Sequence, residues 1–472
     1  MPRFISAKPD SRLLPLPWET PLAEWPVNLL VALPRGLSRH VVRFIKVGDD
    51  VYAAKEVIDH LAQHEYRLLH ALMRQGTPAV EPVGIITERG AVDGVPLDPI
   101  LITRHLEFSL PYRSLFSPGV RQETVSRLLD AMVVLVARLH LIGFKWGDVS
   151  LSNILFRRDA DTFAAYLVDA ETGELHARLT RGQREHDIDI ARTNLLGDFL
   201  DLQAGGLLQE KLDPLRLVDM VTSRYRELWN ELTGVEEFSG GELDRIENRV
   251  RRLNALGFDV AELDIQTDAD QETIRIQPMV VDAGHHSRRL MRLTGLDTEE
   301  NQARRLLNDL DTYRWRTGQA HVDEAVVAHD WLTHSFQPVM NAIPAELRAK
   351  REPAQIFHEV LDYRWYQAQR ECREVPLLEA THGYVRDVLS DLPDEELNLD
   401  VLAPVVEDRQ LVNPYDPSMG YVEAGEEPPV DAWENQADDQ PEASPFLDLA
   451  ALRARAAAKA RAKAESEARD TP

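Results

Sequence analysis

Apolar and polar positions change period several times along the chain, and each change marks an element. Short apolar runs at 28–33, 40–47 and 51–57 predict strands, with Gly48-Asp49-Asp50 as a tight turn between the second and third. The period then lengthens. Leu61, Leu68, Leu69, Leu72 and Met73 recur at helical spacing and predict an amphipathic helix over 59–75, ended by Gly76. Strands follow at 83–88 and 99–106. After Pro118 the pattern becomes helical, and over 122–142 the stretch AMVVLVARLHLI is apolar almost all round, as in the buried axis of a lobe. A loop over 143–152 leads to strands at 153–157 and 163–169, and the chain then reads as helix from Asp187 to about Leu232.

A second region spans 236–397. Its pattern predicts a helix over 242–256, strands over 259–265 and 273–281, helices over 285–294 and 299–313, and further helix through 322–390. Residues 1–27 are proline-rich and read as an irregular lead-in packed on the core. The segment 398–472 is rich in Pro, Glu and Asp with few aromatics, so it is expected to be a disordered acidic tail. Its closing LRARAAAKARAKAESEAR has high helix propensity but no apolar stripe, which fits a solvated or partner-induced helix. A protein partner for the tail is one reading of that design. The order is thus five strands with one helix, a connector, then helices around a short hairpin, followed by a mainly helical α+β domain.

Composition adds limits. The 472 residues carry a formal charge of -26, and between 391 and 448 seventeen acidic residues face the single basic Arg409. A negative surface repels a phosphate backbone, which weighs against nucleic acid and anionic membrane as partners. The longest clean apolar run, 131–137, is far too short to span a bilayer. The N-terminus lacks the apolar core of a signal peptide, and one cysteine, Cys372, allows no internal disulfide. A cytoplasmic location is the expectation.

Phosphoryl transfer needs a triphosphate held, metal ions bridging it, and a carboxylate that orients the attacking hydroxyl. Lys55, in VYAAKEV on the third strand, points into a cleft where its ammonium can meet phosphates. Ala53 shares that face and leaves room for an adenine. Glu65, on the next helix, is placed to pair with Lys55; Glu56 points to the other face. In GFKWGDVSLSNILF, the loop after the buried helix holds Asp148 against a substrate hydroxyl, Asn153 can coordinate a metal, and Leu155 floors the adenine. Asp169, at the end of the next strand, is the expected main magnesium ligand.

VYAAKEV, GDVSLSN and LVDA resemble the strand lysine, catalytic loop and metal aspartate of the protein-kinase-like superfamily, closest to the RIO kinases and the lipopolysaccharide (Kdo/WaaP-like) kinases. The resemblance covers about 200 residues. It implies a bilobal lobe over 28–235 (N-lobe 28–106, C-lobe 107–235) using ATP and Mg2+. Asp148 would be the catalytic base, Asn153 and Asp169 the metal ligands, Lys55 the phosphate anchor and Glu65 its partner. The remainder resembles a bacterial family of unknown function in which such a lobe precedes a helical domain.

Departures narrow the expected activity. The phosphate loop PRGLSRH has only Gly36, so Ser38 or Arg39 would replace backbone amides with side-chain contacts. Trp146 stands where a histidine is usual, Ser150 where a lysine is, and Ala170-Glu171 follow Asp169 in place of Phe-Gly. Asp187 or Asp189 is placed to brace the catalytic loop. No peptide-binding segment is evident. The expectation is an atypical kinase acting on a small-molecule, sugar or lipid-linked hydroxyl, or on itself; the alternative is an ATP-binding pseudokinase serving as a regulatory or interaction module. In the second region, His285, His286, Arg288, Arg289, Arg292, Arg304 and Arg305 gather near a helix start at 284–287 that could hold an anion. The plainer reading pairs these arginines with Glu299, Glu300, Asp309 and Asp311.

Overall fold

The computed structural model describes residues 2–31, 33, 40–116, 120–209, 211–234, 236–239, 258–267 and 273–395. The phosphate loop over 34–39, with Ser38 and Arg39, the helix expected over 242–256 and the tail expected from 398 all lie outside the described residues.

The strand periodicity builds a six-stranded antiparallel sheet. It contains β1 (Arg3–Ile5), β2 (Leu30–Val31), β3 (Val41–Val47), β4 (Asp50–Glu56) and β5 (Pro82–Thr87). A small ribbon, β6 (Ala91–Val92) and β7 (Val95–Pro96), precedes the sixth strand, β8 (Ile100–Arg104). The sheet order is β1-β5-β8-β4-β3-β2. Alternation along β4 sends Tyr52 and Ala54 to the outer face, where they pack with Trp18, Trp25 and Ile45. Ala53 and Lys55 face the opposite way, toward the cleft. Helix α1 (Asp59–Arg74) covers that inner face with Ala62, Leu69 and Leu72.

The lead-in is more ordered than its sequence implies. Residues 3–5 pair with β5 as an edge strand, a three-residue element too short to show a period and set by a partner some eighty positions away. The fully buried Arg89 fixes the rest of the lead-in. Its guanidinium donates to the Trp18 and Thr20 carbonyls at 2.8 and 2.6 Å and pairs with Glu56 at 2.5 Å. Glu56 therefore belongs to the outer face.

The second lobe follows β9 (Ser109–Pro111) and α2 (Tyr112–Leu115). Helix α3 (Gln122–Leu141) is its axis, with Leu128, Leu129, Met132, Leu135 and Leu139 all buried. Short β10 (Phe144–Lys145) leads to the hairpin β11 (Ile154–Asp159) and β12 (Thr162–Leu167), and β13 (Glu174–Leu175) pairs back on β10. Helix α4 (Arg181–Ala204) starts six residues before Asp187 because Thr180 and Gln183 form a capping box. Helix α5 (Pro214–Thr233) begins on an Asp213 cap with proline at its first position.

Beyond it, β14 (Glu236–Ser239), β15 (Phe258–Thr267) and β16 (Thr273–Ala283) form an antiparallel sheet of order β14-β16-β15. Helices α6 (His285–Thr294), α7 (Glu300–Arg316), α8 (Glu324–Trp331), α9 (Gln337–Ala342), α10 (Pro353–Glu371) and α11 (Leu377–Asp387) follow. Several of them enclose a core around Leu306, Leu310, Trp331, Phe336 and Phe357. This helical region is bolted to β11 and β12 by charge. Arg157 pairs with Glu299 at 3.0 Å and Glu352 at 2.7 Å, and Arg158 pairs with Glu395 at 2.6 Å. Asp159 accepts from the Gln302 backbone at 2.7 Å. Among the described residues no helix is long and apolar enough to cross a membrane.

Candidate active site

Between the sheet and the second lobe lies a cleft of about 750 Å3. Ala53, Lys55, Glu65, Asp148, Asn153, Leu155 and Asp169, the site residues singled out in the sequence and described here, all line it. Ala53 and Lys55 arrive on β4 and Glu65 on α1; Asn153 closes the 3-10 turn Leu151–Asn153 rather than opening a strand. Leu155 lies on β11, and Asp169 sits two residues beyond the end of β12.

Lys55 is the hub of one wall. Its Nζ donates to Glu65 Oε2 at 3.0 Å, Asp169 Oδ2 at 2.8 Å and Glu171 Oε2 at 2.9 Å. Burial works against its charge, but Glu65 and Asp169 outweigh that and hold the ammonium above its ordinary range. Burial, reinforced by Asp169, pushes Glu65 up to about 8 against the pull of Lys55. Glu171 also pairs with His40 at 2.9 Å, so it is more than a solvated loop acid. The carboxylates of Glu65, Asp169 and Glu171 thus bring oxygens within 4.8 Å of one another around the Lys55 ammonium, and carboxylate oxygens of this kind are the ligands magnesium prefers.

Asp148 stands on the other wall with both oxygens engaged. Asn153 Nδ2 donates to Oδ2 at 3.1 Å, and Asn194 Nδ2 donates to Oδ1 at 2.9 Å. With its Nδ2 donating to Asp148, Asn153 keeps its amide oxygen as the group able to face a cation.

The loop before Asp148 is held from below. Buried Asp187 accepts from the backbone of Trp146 at 2.8 Å and Gly147 at 2.7 Å and meets His140 Nε2 at 3.0 Å. Burial raises its pKa, yet the His140 contact and these amides leave it lowered. Of the two acids weighed in the sequence, Asp187 therefore braces the loop, while Asp189 is exposed. Gly147 has φ +78°, and a Cβ there would lie 2.9 Å from the Thr172 carbonyl oxygen, so the turn requires glycine. Trp146 is buried, and its indole donates to the Asp169 carbonyl at 2.9 Å, tying the two walls together.

Three participants were not singled out in the sequence. Asn194 and Asp198 on α4 face the loop, and Asp198 accepts from the Leu151 amide at 2.7 Å. Burial, with Asp201 and Asp148 adding to it, pushes Asp198 up to about 6 against that amide bond. The third is His140, which also contacts the Tyr225 hydroxyl at 2.6 Å. A signal was present: 187, 194, 198 and 201 recur at seven, four and three, one stripe of a helix.

In the His/Arg cluster, the helix start at 284–287 faces a carboxylate. The Glu300 carboxylate already accepts from the amides of His286 at 2.7 Å and Ser287 at 3.1 Å. Arg289 pairs with Glu324, and Arg305 with Asp161 at 2.8 Å. The plainer charge-pairing reading is the right kind, although these two arginines choose partners distant in sequence.

A two-lobed fold with a strand lysine, a helix glutamate, an Asp–Asn loop and a carboxylate after the following strand is a kinase-like one, and it defines the N-terminal region as such. Residues 43–198 match the Lipopolysaccharide kinase (Kdo/WaaP) family, and residues 227–389 match the Domain of unknown function (DUF4032). Among solved structures, the chain is similar to one described as WaaP in complex with acyl carrier protein, at 18% identity and a TM-score of 0.33, covering 54% of this chain and 99% of that one. No curated protein matches the chain.

Proposed function

We propose that the protein is an atypical ATP- and Mg2+-dependent kinase that phosphorylates a hydroxyl of a sugar, a lipid-linked sugar or another small molecule, or of the protein itself. The observation that supports this best is the Asp148 carboxylate, fixed by two amides across the cleft from the Lys55–Glu65–Asp169 cluster. The match of residues 43–198 to a family of lipopolysaccharide kinases favours a sugar acceptor.

In this reading Lys55 binds the phosphates of ATP, and Ala53 and Leu155 border the adenine. Asp169 and Asn153 would hold Mg2+, which when bound would offset the charge of the triphosphate. Asp148 orients the acceptor hydroxyl and takes its proton as the oxygen bonds to the γ-phosphorus and the bond to the β-phosphate breaks, releasing ADP. Glu65 keeps Lys55 in place.

Purified protein incubated with Mg-ATP and candidate acceptors, followed by mass spectrometry, tests the reading. The wild type is expected to yield a phosphorylated product or a phosphorylated self. Asp148→Asn is expected to lower that rate by roughly a hundredfold or more, a general-base loss, while still binding ATP. An Asp148→Asn protein that retains full function, with function lost in Lys55→Ala, would select the pseudokinase module instead. An adduct of AMP would point to nucleotidyl transfer.

A further inference from the structure

The turn joining β11 to β12 lies about 20 Å from Asn153, at the far end of a six-residue strand. There the kinase-like lobe meets α10 through a cluster outside the cleft. Asp161 stands on the turn; His358 and Asp362 stand one helical turn apart on α10. The three residues bring ligand atoms within 4.8 Å of one another.

His358 is the informative member. Its side chain is 2% exposed, and Nε2 is buried without a hydrogen-bond partner. That nitrogen lies 3.8 Å from Asp161 Oδ1 and 3.6 Å from Asp362 Oδ2, too far for hydrogen bonds but aimed between the two carboxylates. The two carboxylates stand at ion-pair range of a buried ring nitrogen that no hydrogen bond satisfies, and a bound cation would satisfy all three.

The surroundings are arranged as for a ligated ion. Each carboxylate divides its oxygens. Asp161 turns Oδ2 to Arg305 at 2.8 Å and Oδ1 to His358, while Asp362 turns Oδ1 toward Arg305 at 3.8 Å and Oδ2 to His358. An outer donor holding the far oxygen of a ligating carboxylate is a common second layer of metal sites. The turn is also held rigidly. Gln355, one helical turn before His358, accepts from the Ala160 amide at 3.1 Å and donates to the Ala160 carbonyl at 3.2 Å. Ala160 takes φ +56°, so this clamp fixes a strained residue directly before Asp161.

We propose that Asp161, His358 and Asp362 bind a first-row divalent cation of the zinc or manganese kind, which clips the kinase-like lobe to the helical domain. One imidazole nitrogen with two carboxylates suits these ions better than magnesium, which favours oxygen and retains water. Bonds of roughly 2.1 Å place tetrahedral ligand atoms about 3.4 Å apart, close to the 3.6 and 3.8 Å that separate His358 Nε2 from the two carboxylates. The proposal is independent of the phosphotransfer reading.

The test uses the full chain, stripped with a chelator and equilibrated with Zn2+ alone or Mn2+ alone. Metal per chain and thermal midpoint are then measured. Wild type is expected to hold one equivalent more than His358→Gln or Asp362→Asn, with affinity at that site at least about tenfold weaker in each variant. The metal is expected to raise the midpoint of wild type more than that of either variant. Two variants guard against one that fails to fold, and cations held at Asp169 cancel in the comparison. Equal metal content in wild type and both variants, or equal midpoint shifts, overturns the proposal and leaves His358 as an ion-pairing histidine.

Discussion

Each oxygen of Asp148 accepts an amide from a different element, Asn153 on the loop and Asn194 on α4. A carboxylate held at both ends keeps one orientation toward an acceptor, and losing one holder lets it rotate. With Asp148 as the proposed base, Asn194→Ala is expected to lower kcat about tenfold with little change in KM for ATP, since its side chain contacts Asp148 and not Lys55 or Asp169. Steady-state kinetics check this, and Asn194→Gln is expected to restore less than wild type because the longer side chain displaces the amide. Lys55, Asp148, Asn153 and Asp169 are legible in the sequence because each sits in a short run whose neighbours declare strand or loop. Asn194 is not, because its importance lies in a contact made 46 positions away. Glu171 is similar: as sequence it is a loop acid, and only folding sets it 2.9 Å from Lys55.

At the scale of elements, the loop before Asp148 depends on α4. Asp187→Ala leaves two backbone amides and His140 without their buried acceptor. The expected cost is about 3–5 kcal/mol, the range for removing one partner from a buried charged network, measured by chemical denaturation, with activity falling alongside. The hairpin β11–β12 depends in turn on α7. Burial, with Glu299 adding to it, pushes Asp159 from 3.8 up to about 7. Because the folded carboxyl binds its proton more tightly than the unfolded one, the stability it contributes is complete below about pH 4 and is lost as the pH rises through 7. The thermal midpoint is expected to fall between pH 5 and pH 8. Asp159→Asn is expected to flatten that fall, and Glu352, also pushed up to about 7 by burial, to preserve part of it. Helix and strand limits were readable to within a few residues where the period is long, as for α1 and α3. They failed for β1, whose three residues form a strand only because β5 offers an open edge.

At the scale of the molecule, charged side chains join the helical region to the kinase-like lobe. Arg157 and Arg158 reach from β11 to Glu299, Glu352 and Glu395. Burial opposes the charge of Arg157, but Glu299 and Glu352 overcome it and hold the guanidinium above its ordinary range. Differential scanning calorimetry of the wild type is expected to show one cooperative transition. The double variant Arg157→Ala, Arg158→Ala is expected to separate it into two, because each region retains its own apolar core. A single transition in the double variant would mean that the remaining contacts suffice.

The sequence by itself determined the main strands and helices of the first region, its kinase-like character and the residues that meet in the cleft, since these rest on local periodicity and on motifs a few residues long. The tertiary structure alone decided which acid braces the loop, which asparagine steadies Asp148, where Arg289 and Arg305 find their carboxylates, and that Asp161 meets His358. Those are contacts between residues tens to hundreds of positions apart. A charged side chain carries no mark in the sequence of which partner will offset its burial; only the packing of the elements brings one within reach.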